Sequence, residues 1–451
     1  MVCDAVILAA GHGKRMHSTT PKALHRLGGT PLIAWAEQIC RQATGRPSTV
    51  VIGPEAPEAR EALPDDVVFV EQTERRGTGH AISQVAPALR GRTERLLIVT
   101  VDMPLLRAET LMRLAAAQEA AQVPLAMLTL QSERVRGFGR VLRDGQGQVQ
   151  EIVEEAVASP EALAVRELNA SVYCVAADWL WEHLPRLEES PSGEIYLTDL
   201  VGMAAQEGTP AATVAIDDAD EVIGINTREH LAEAEAALRR RINRSWMLAG
   251  VTMIDPETTY IEPSVTLEAD VILFPNTHLH GATSVGRGTR LGPHTIVRDS
   301  VIGEACVVEA SVIEGAFLDD EVHVGPFGHL RPGARLGRRV HMGNFGEVKN
   351  SVLGEGVKMG HFSYVGDAEI GAETNIGAGT ITCNYARDGS KNRTEVGRRV
   401  FIGSDTLLVA PLRVGDDAAT GAGSVVTRDV PDGYLAVGMP ARSVRDLRDD
   451  G

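Results

Sequence analysis

Aromatic side chains make up only 4% of this 451-residue chain, against 46 glycines. That scarcity fits a narrow core of small branched side chains with frequent tight turns. Basic residues are outnumbered, 44 to 61, giving a net charge of −17. A nucleic-acid binder needs a basic footprint, so that class is excluded. Anionic small substrates are not, because local Lys and Arg clusters still hold phosphates. Close cysteine pairs are missing, since Cys3, Cys40, Cys174, Cys306 and Cys383 are dispersed. This odd set argues against a disulfide frame or a zinc site, and for reduced thiols in a cytoplasmic protein. No apolar run nears the roughly 20 residues needed to span a bilayer. The N-terminus enters a strand-like run with no charged-then-apolar leader.

What the chain has in plenty is a six-residue period. From Val251 an aliphatic residue or Met recurs every six positions, usually followed by Gly. It is weak at Val265 and Val271, then clear at Val285, Leu291 and Val297 and from Val324 to Val348. One-residue resets open new phases at Leu353 and Ile370. An irregular polar segment, Ala386–Glu395, interrupts the period, which resumes at Val396. Hexapeptides predict a parallel β-helix, with about ten three-sided coils over Val251–Val437. Solenoids need capping and subunit packing, so an oligomer is expected.

Arg331, Glu347, Lys349, His361, Tyr364 and Asn375 are polar residues that this repeat does not need. Arg331 and Lys349 lie eighteen residues apart, one full turn, which stacks two cations on adjacent rungs as a phosphate clamp requires. His361 is the natural base for an amine proton, because imidazole titrates near neutrality. Glu347, on a neighbouring stretch of coil, suits orienting that base or binding the amine.

Residues 1–226 alternate strands and helices instead. Strands are expected at Ala5–Ala9, Thr49–Ile52, Val67–Val70 and Leu96–Val101, and helices at Pro31–Ala43 and Ala108–Ala121. Such alternation implies a Rossmann-like, doubly wound, mostly parallel sheet with ligands at the carboxyl ends of its strands. Thr227–Leu248 reads as an amphipathic connecting helix. The first strand delivers the chain into Ala10–Gly13, where glycine lets backbone N–H groups approach a phosphate. Arg15 and Lys22 add charge for a triphosphate. Gln72 and Gly77-Thr78, in EQTERRGTGHA, suit reading a base. Asp102 follows a strand, where a carboxylate can hold Mg²⁺ between phosphates, and Asn226 is the second candidate ligand. Gly139, Glu154, Asn169 and the pair Glu194/Tyr196 are candidates for gripping a sugar. Taken singly, Glu154 or Asn169 is more often a structural surface or turn residue.

The segment Leu8–Pro31 (LAAGHGKRMHSTTPKALHRLGGTP) resembles nucleotidyltransferases that join a nucleoside triphosphate to a sugar 1-phosphate. With the repeats, essentially the whole chain resembles one bacterial family. Its members are both N-acetylglucosamine-1-phosphate uridyltransferase and glucosamine-1-phosphate N-acetyltransferase. The resemblance implies an α/β nucleotidyltransferase domain (1–226), a linker helix (227–250) and a left-handed β-helix acetyltransferase domain (251–451). It implies nucleotide and sugar contacts from Leu8, Ala9, Ala10, Gly11, Arg15 and Lys22, then Gln72, Gly77 and Thr78, then Gly139, Glu154, Asn169 and Asn226. Mg²⁺ would lie on Asp102 and Asn226.

In the repeats the resemblance implies His361 as the catalytic base, with Arg331, Lys349, Tyr364, Asn375 and Lys391 at the amino-sugar phosphate. Acetyl-CoA would meet Ala378, Asn384, Tyr385, Ser404 and Ala422, partly from a neighbouring subunit of a homotrimer. Glucosamine 1-phosphate would be acetylated first and its product then joined to UTP, in the supply of cell-wall and lipopolysaccharide precursors. The chain departs from the family pattern at Lys14, Thr100-Val101, Glu155-Ala156 and Met439, with Arg442 near the last. Another amino-sugar phosphate or nucleotide, or acetyl transfer alone, stays open. His278, His280, His294 and His329 are read as structural, and Arg239–Arg241 as a solvated helix end.

Overall fold

A computed structural model describes residues 3–54, 57–133, 137–190 and 193–446. The chain divides into two compact units, Met1–Leu238 and Arg239–Gly451. The division falls inside one helix, Arg228–Leu248.

Apolar runs with no polar face build the sheet of the first unit. Its path uses β1 (Cys3–Leu8), β2 (Thr49–Ile52), β3 (Val68–Glu71), β4 (Arg95–Thr100), β5 (Leu125–Gln131), β6 (Glu167–Ala176) and β7 (Ala212–Ala215). The order is β7-β5-β6-β4-β1-β2-β3, and a hairpin, Arg140–Arg143 with Val149–Val153, hangs from β6. Neighbours along the path are parallel except where β6 runs against β4 and β5. Val6, Ile7, Val50, Val51, Leu96 and Ile98 are buried, as strands covered on both faces require. The carboxyl ends of β1 and β4, adjacent in the sheet, carry the glycine-rich loop and Asp102. The two helices stand at Leu32–Thr44 and Ala108–Ala121, within a residue of expectation.

The second unit has the three faces of a left-handed parallel β-helix: sheets of twelve, ten and nine strands, mostly two or three residues each. The inward residues Leu273, Leu291, Val308, Val324, Met342 and Met359 are all at 0% exposure. The phase resets read from the sequence are shortened coils. Leu273 pairs with Leu291, a full eighteen-residue turn, but Leu336 pairs with Leu353 and Leu353 with Ile370, one residue short each time. The polar interruption is smaller than expected. Tyr385 and Lys391 bridge a tight hairpin closed by Ala386 N donating to Ser390 O at 2.9 Å. Thr394 and Glu395, expected in the irregular segment, are already strand, paired with Ala368 and Glu369. The ladder claims them because an open rung would leave backbone groups unpaired.

The helix Arg228–Leu248 is more than a connector. Ile242 and Trp246 pack on the β-helix core, and Asn243 Nδ2 donates to Pro256 O and Thr259 O at 2.8 and 2.9 Å. It caps the first coil, which a solenoid needs. Of the Arg239–Arg241 run, read as a solvated helix end, Arg240 is exposed but Arg239 is packed. The Arg239 guanidinium lies over the Tyr260 ring at 4.9 Å, and its side chain is 20% exposed.

Candidate active sites

The first site is a cavity of about 520 Å³ at the carboxyl ends of β1 and β4. Of the sequence candidates, Leu8, Ala10, Gly11, Lys22, Gln72, Gly77, Thr78, Asp102 and Glu154 line it. So do Glu194 and Tyr196. Thr100 and Val101, where the chain departs from the family pattern, line it too.

Lys22 is the centre of its charge. Its Nζ donates to Asp102 Oδ2 at 2.7 Å and to Asn226 Oδ1 at 2.8 Å, and Arg15 reaches the same Asn226 oxygen at 3.1 Å. Burial pushes the Asp102 carboxyl up, but the Lys22 charge and hydrogen bond outweigh it and hold Asp102 below the ordinary carboxylate value. Glu154 goes the other way. Burial raises it, Asp199 and Glu194 add to the rise, and the Thr198 hydroxyl at 3.1 Å offsets only part.

Gly77 is required by geometry. It sits at φ 94°, and a Cβ there would meet Ile195 O at 2.5 Å. Thr78 is committed as well, its hydroxyl accepting from Leu197 N at 3.0 Å.

Ala9, Arg15, Gly139, Asn169 and Asn226 are outside the lining. Asn169 is 1% exposed and fully engaged, with Nδ2 on Tyr173 Oη at 2.7 Å and Oδ1 on Ser171 N at 3.0 Å. It pins the bulge that turns Ser171 and Tyr173 into the cavity. Gly139 lies behind it, its carbonyl accepting from Asn169 N at 2.9 Å. Among the lining residues not read from the sequence are His12 and Arg75. Arg75 Nε donates to Ala10 O and its NH1 lies 3.1 Å from His12 Nε2, so Arg75 clasps the glycine-rich loop. Only the basic pair Arg75-Arg76 hinted at it.

The second site lies on the ten-stranded face. The register His329↔Glu347 and Leu330↔Val348 sets Arg331 beside Lys349, and Lys349 pairs in turn with Gly366. Arg331 NH1 donates to Glu347 Oε1 at 2.9 Å, which raises Arg331 further above its ordinary value. Glu347 is therefore occupied by Arg331, and the structure records no bond from it to His361. A carboxylate one rung from a guanidinium pairs with it before it reaches around a corner.

Tyr364 lays its phenol over Gly366, where a Cβ would collide with the ring. Asp367, which sequence reading missed, takes hydrogen bonds from Asn350 and Asn384. Burial pushes Asp367 up, but those two bonds and the charges of Lys391 and Lys349 hold it below the ordinary value. It fixes Asn384, and a cleft of about 460 Å³ opens beside it between Arg335, Asn350, Lys391 and Arg393. Nothing in the sequence separates Asp367 from other corner aspartates such as Asp299 and Asp405.

His361 sits elsewhere. Asp405 N donates to Ala378 O and Gly423 N to Ser404 O, which stacks Ala378, Ser404 and Ala422 along one corner. Gly379 N donating to Phe362 O puts His361 on the adjoining rung of that corner. His361 is exposed, as are Ser404, Ala422 and Tyr385. Asn375 is on another face altogether, paired with Lys358 and Phe401 in the twelve-stranded sheet. One chain thus gathers Arg331, Lys349, Tyr364, Asn384 and Lys391, and keeps Asn375 apart.

Of the other histidines, His280 and His329 pair with Glu262 and Glu314, each at 3.1 Å. Met439 is 77% exposed. Glu155 lies 3.8 Å from the buried Arg140.

A mononucleotide-type sheet with a basic loop over a carboxylate, and a hexapeptide β-helix with a cationic face, define a nucleotidyltransferase joined to an acyltransferase. Residues 5–249 match the MobA-like NTP transferase domain. The Bifunctional protein GlmU of Pelobacter propionicus is 46% identical over 438 residues, covering 96% of this chain and 95% of that protein. Those of Stutzerimonas stutzeri and Nostoc sp. are 46% and 40% identical over 442 residues, covering 97% of this chain and 96% and 97% of theirs. The chain belongs to the bifunctional GlmU family. It is a bifunctional enzyme, with uridylyltransferase and acetyltransferase activity in one chain.

Proposed function

We propose that the β-helix acetylates glucosamine 1-phosphate from acetyl-CoA and that the first unit then joins the product to UTP, releasing pyrophosphate and UDP-N-acetylglucosamine. The observation behind this is the split of basic groups into two clusters, Arg15 with Lys22 and Arg331 with Lys349 and Lys391. Each has its own chemistry beside it.

In the first unit a sugar-phosphate oxygen forms a bond to the α-phosphorus as the bond to the bridging oxygen breaks. The protein mainly positions the partners and neutralises charge. Arg15 and Lys22 bind phosphates, Gln72 with the Gly77 backbone meets the base, and Glu154 takes sugar hydroxyls. Asp102 and Asn226 would hold Mg²⁺, which supplies neutralisation of the triphosphate oxygens. The pair fits that ion: two hard oxygens already converge on one cation, and Mg²⁺ asks few ligands of a protein beyond phosphates and water.

In the β-helix the ammonium first gives one proton to solvent; the amine nitrogen then forms a bond to the thioester carbonyl carbon, His361 takes the second proton that nitrogen sheds, and as the carbon–sulfur bond breaks His361 returns it to the CoA thiolate. Arg331, Lys349 and Lys391 hold the phosphate, and Ala378, Ser404 and Ala422 run beside the coenzyme. Because Asn375 is on another face from Lys349, the site is completed between copies in a homotrimer acting in the cytoplasm. Two tests follow. Coenzyme A and pyrophosphate release, assayed separately against amino-sugar phosphates and nucleotides, should both be present and favour glucosamine 1-phosphate and UTP. Lys349→Ala and Asn375→Ala chains, each inactive in acetyl transfer, should regain about a quarter of it when unfolded together and reassembled. No recovery places both residues in one-chain sites and removes the shared site.

A further inference from the structure

We propose that His80 sets the base specificity of the first site by holding the Gln72 amide in one orientation. The proposal rests on the reading of Gln72 as the residue that meets the base. Gln72 is 4% exposed and lines the first cavity. Its Nε2 lies 3.1 Å from Gly77 O and 3.1 Å from His80 Nδ1. A main-chain carbonyl only accepts, so the group facing it is the amide nitrogen, and both of its N–H bonds are spent. The His80 Nδ1 is then an acceptor, and the ring proton sits on Nε2. Gln84 Nε2 lies 3.2 Å from that nitrogen and donates to Ser83 Oγ at 3.0 Å.

The backbone that carries the ring is held: His80 belongs to the helix Thr78–Ser83, and Ser83 Oγ donates to the His80 main-chain carbonyl at 2.8 Å. Gly77, fixed against the Ile195 backbone, anchors the other end of the relay.

What remains for a ligand is Gln72 Oε1, which has no partner among the described residues and is not a buried, orphaned atom. An acceptor there matches a base whose ring nitrogen carries a proton, as uracil does. Cytosine presents a lone pair at the same place, and two acceptors repel. A flipped amide would present N–H groups and reverse that preference. With His80 gone, only the Gly77 carbonyl opposes the flip.

The experiment compares kcat/KM for UTP and CTP, read as pyrophosphate release, in the full-length protein. His80→Phe keeps a ring of similar size but removes the acceptor. It should lower the UTP/CTP ratio about tenfold, the scale of one hydrogen bond, through KM more than kcat. His80→Asn, whose oxygen can stand where Nδ1 stood, should restore most of the ratio. Acetyl transfer by both variants should match the parent, reporting an intact chain. A His80→Phe ratio equal to the parent's, or no rescue by His80→Asn, overturns the proposal. Gln72→Ala separates the two readings: an unchanged ratio there removes Gln72 as the base reader. A ratio lost with Gln72→Ala but kept with His80→Phe removes only His80.

Discussion

The Lys22 ammonium stands 2.7 Å from Asp102 Oδ2 and 2.8 Å from Asn226 Oδ1, at the point where the two candidate metal ligands converge. Removing it leaves a largely buried carboxylate without its cation. Lys22→Met should destabilise the first unit by about 3 kcal/mol, as lost buried partners do. The sign with pH follows from the lowered Asp102. The pair's contribution is present above the unfolded carboxylate value, about pH 4, and is lost as pH falls through the depressed folded one. Melting of parent and variant from pH 7 to pH 2 checks this, and a gap that persists at the acid end contradicts it.

Glu154 carries the opposite shift, raised by burial and by Asp199 and Glu194. A raised carboxyl stabilises only while protonated, so its contribution is lost as pH rises through the folded value. Glu154→Gln should therefore melt higher than the parent at pH 7, and the gain should vanish below about pH 4. Pyrophosphate release should fall at the same time, chiefly through KM for the sugar phosphate, since sites often trade stability for binding.

His361 is exposed on a corner and is bonded to no other described residue. His361→Gln should then leave melting unchanged while lowering acetyl transfer by roughly 10²–10⁴-fold, the usual span for a general base. Pyrophosphate release from N-acetylglucosamine 1-phosphate and UTP should be untouched. Acetyl transfer within a factor of three of the parent rules His361 out as the base.

Gly366 gives a finer test of the second site. A methyl group there would collide with the Tyr364 phenol, which lies over it beside Lys349. Its φ is not in the left-handed region, so Gly366→Ala adds no backbone strain. It should raise KM for glucosamine 1-phosphate about tenfold by displacing the phenol, while KM for acetyl-CoA holds. Equal rises in both would mean a wider distortion of the coil.

The sequence by itself determined the six-residue period, and with it the β-helix, because each coil repeats one pattern of inward aliphatic residues. The Arg331–Lys349 stack follows from that arithmetic, since one turn of the repeat brings the chain back to the same face. The glycine-rich loop and Asp102 were legible for a similar reason: local strand patterns place both at carboxyl ends.

Only the tertiary structure decided which side chains are already spoken for. Glu347 pairs with Arg331 across a rung instead of turning to His361, and Asn169 spends both ends of its amide inside a bulge. Asn375 stands on a different face from Lys349, which a period alone does not reveal, because consecutive hexapeptides look alike whichever face they build. Lys22 meets Asn226 across 204 residues, and Asp367 joins Asn384 around a coil whose corners look the same in sequence. Periodicity reports which residues point inward; hydrogen bonds between distant segments leave no mark in it, and those bonds set the charge and orientation at both sites.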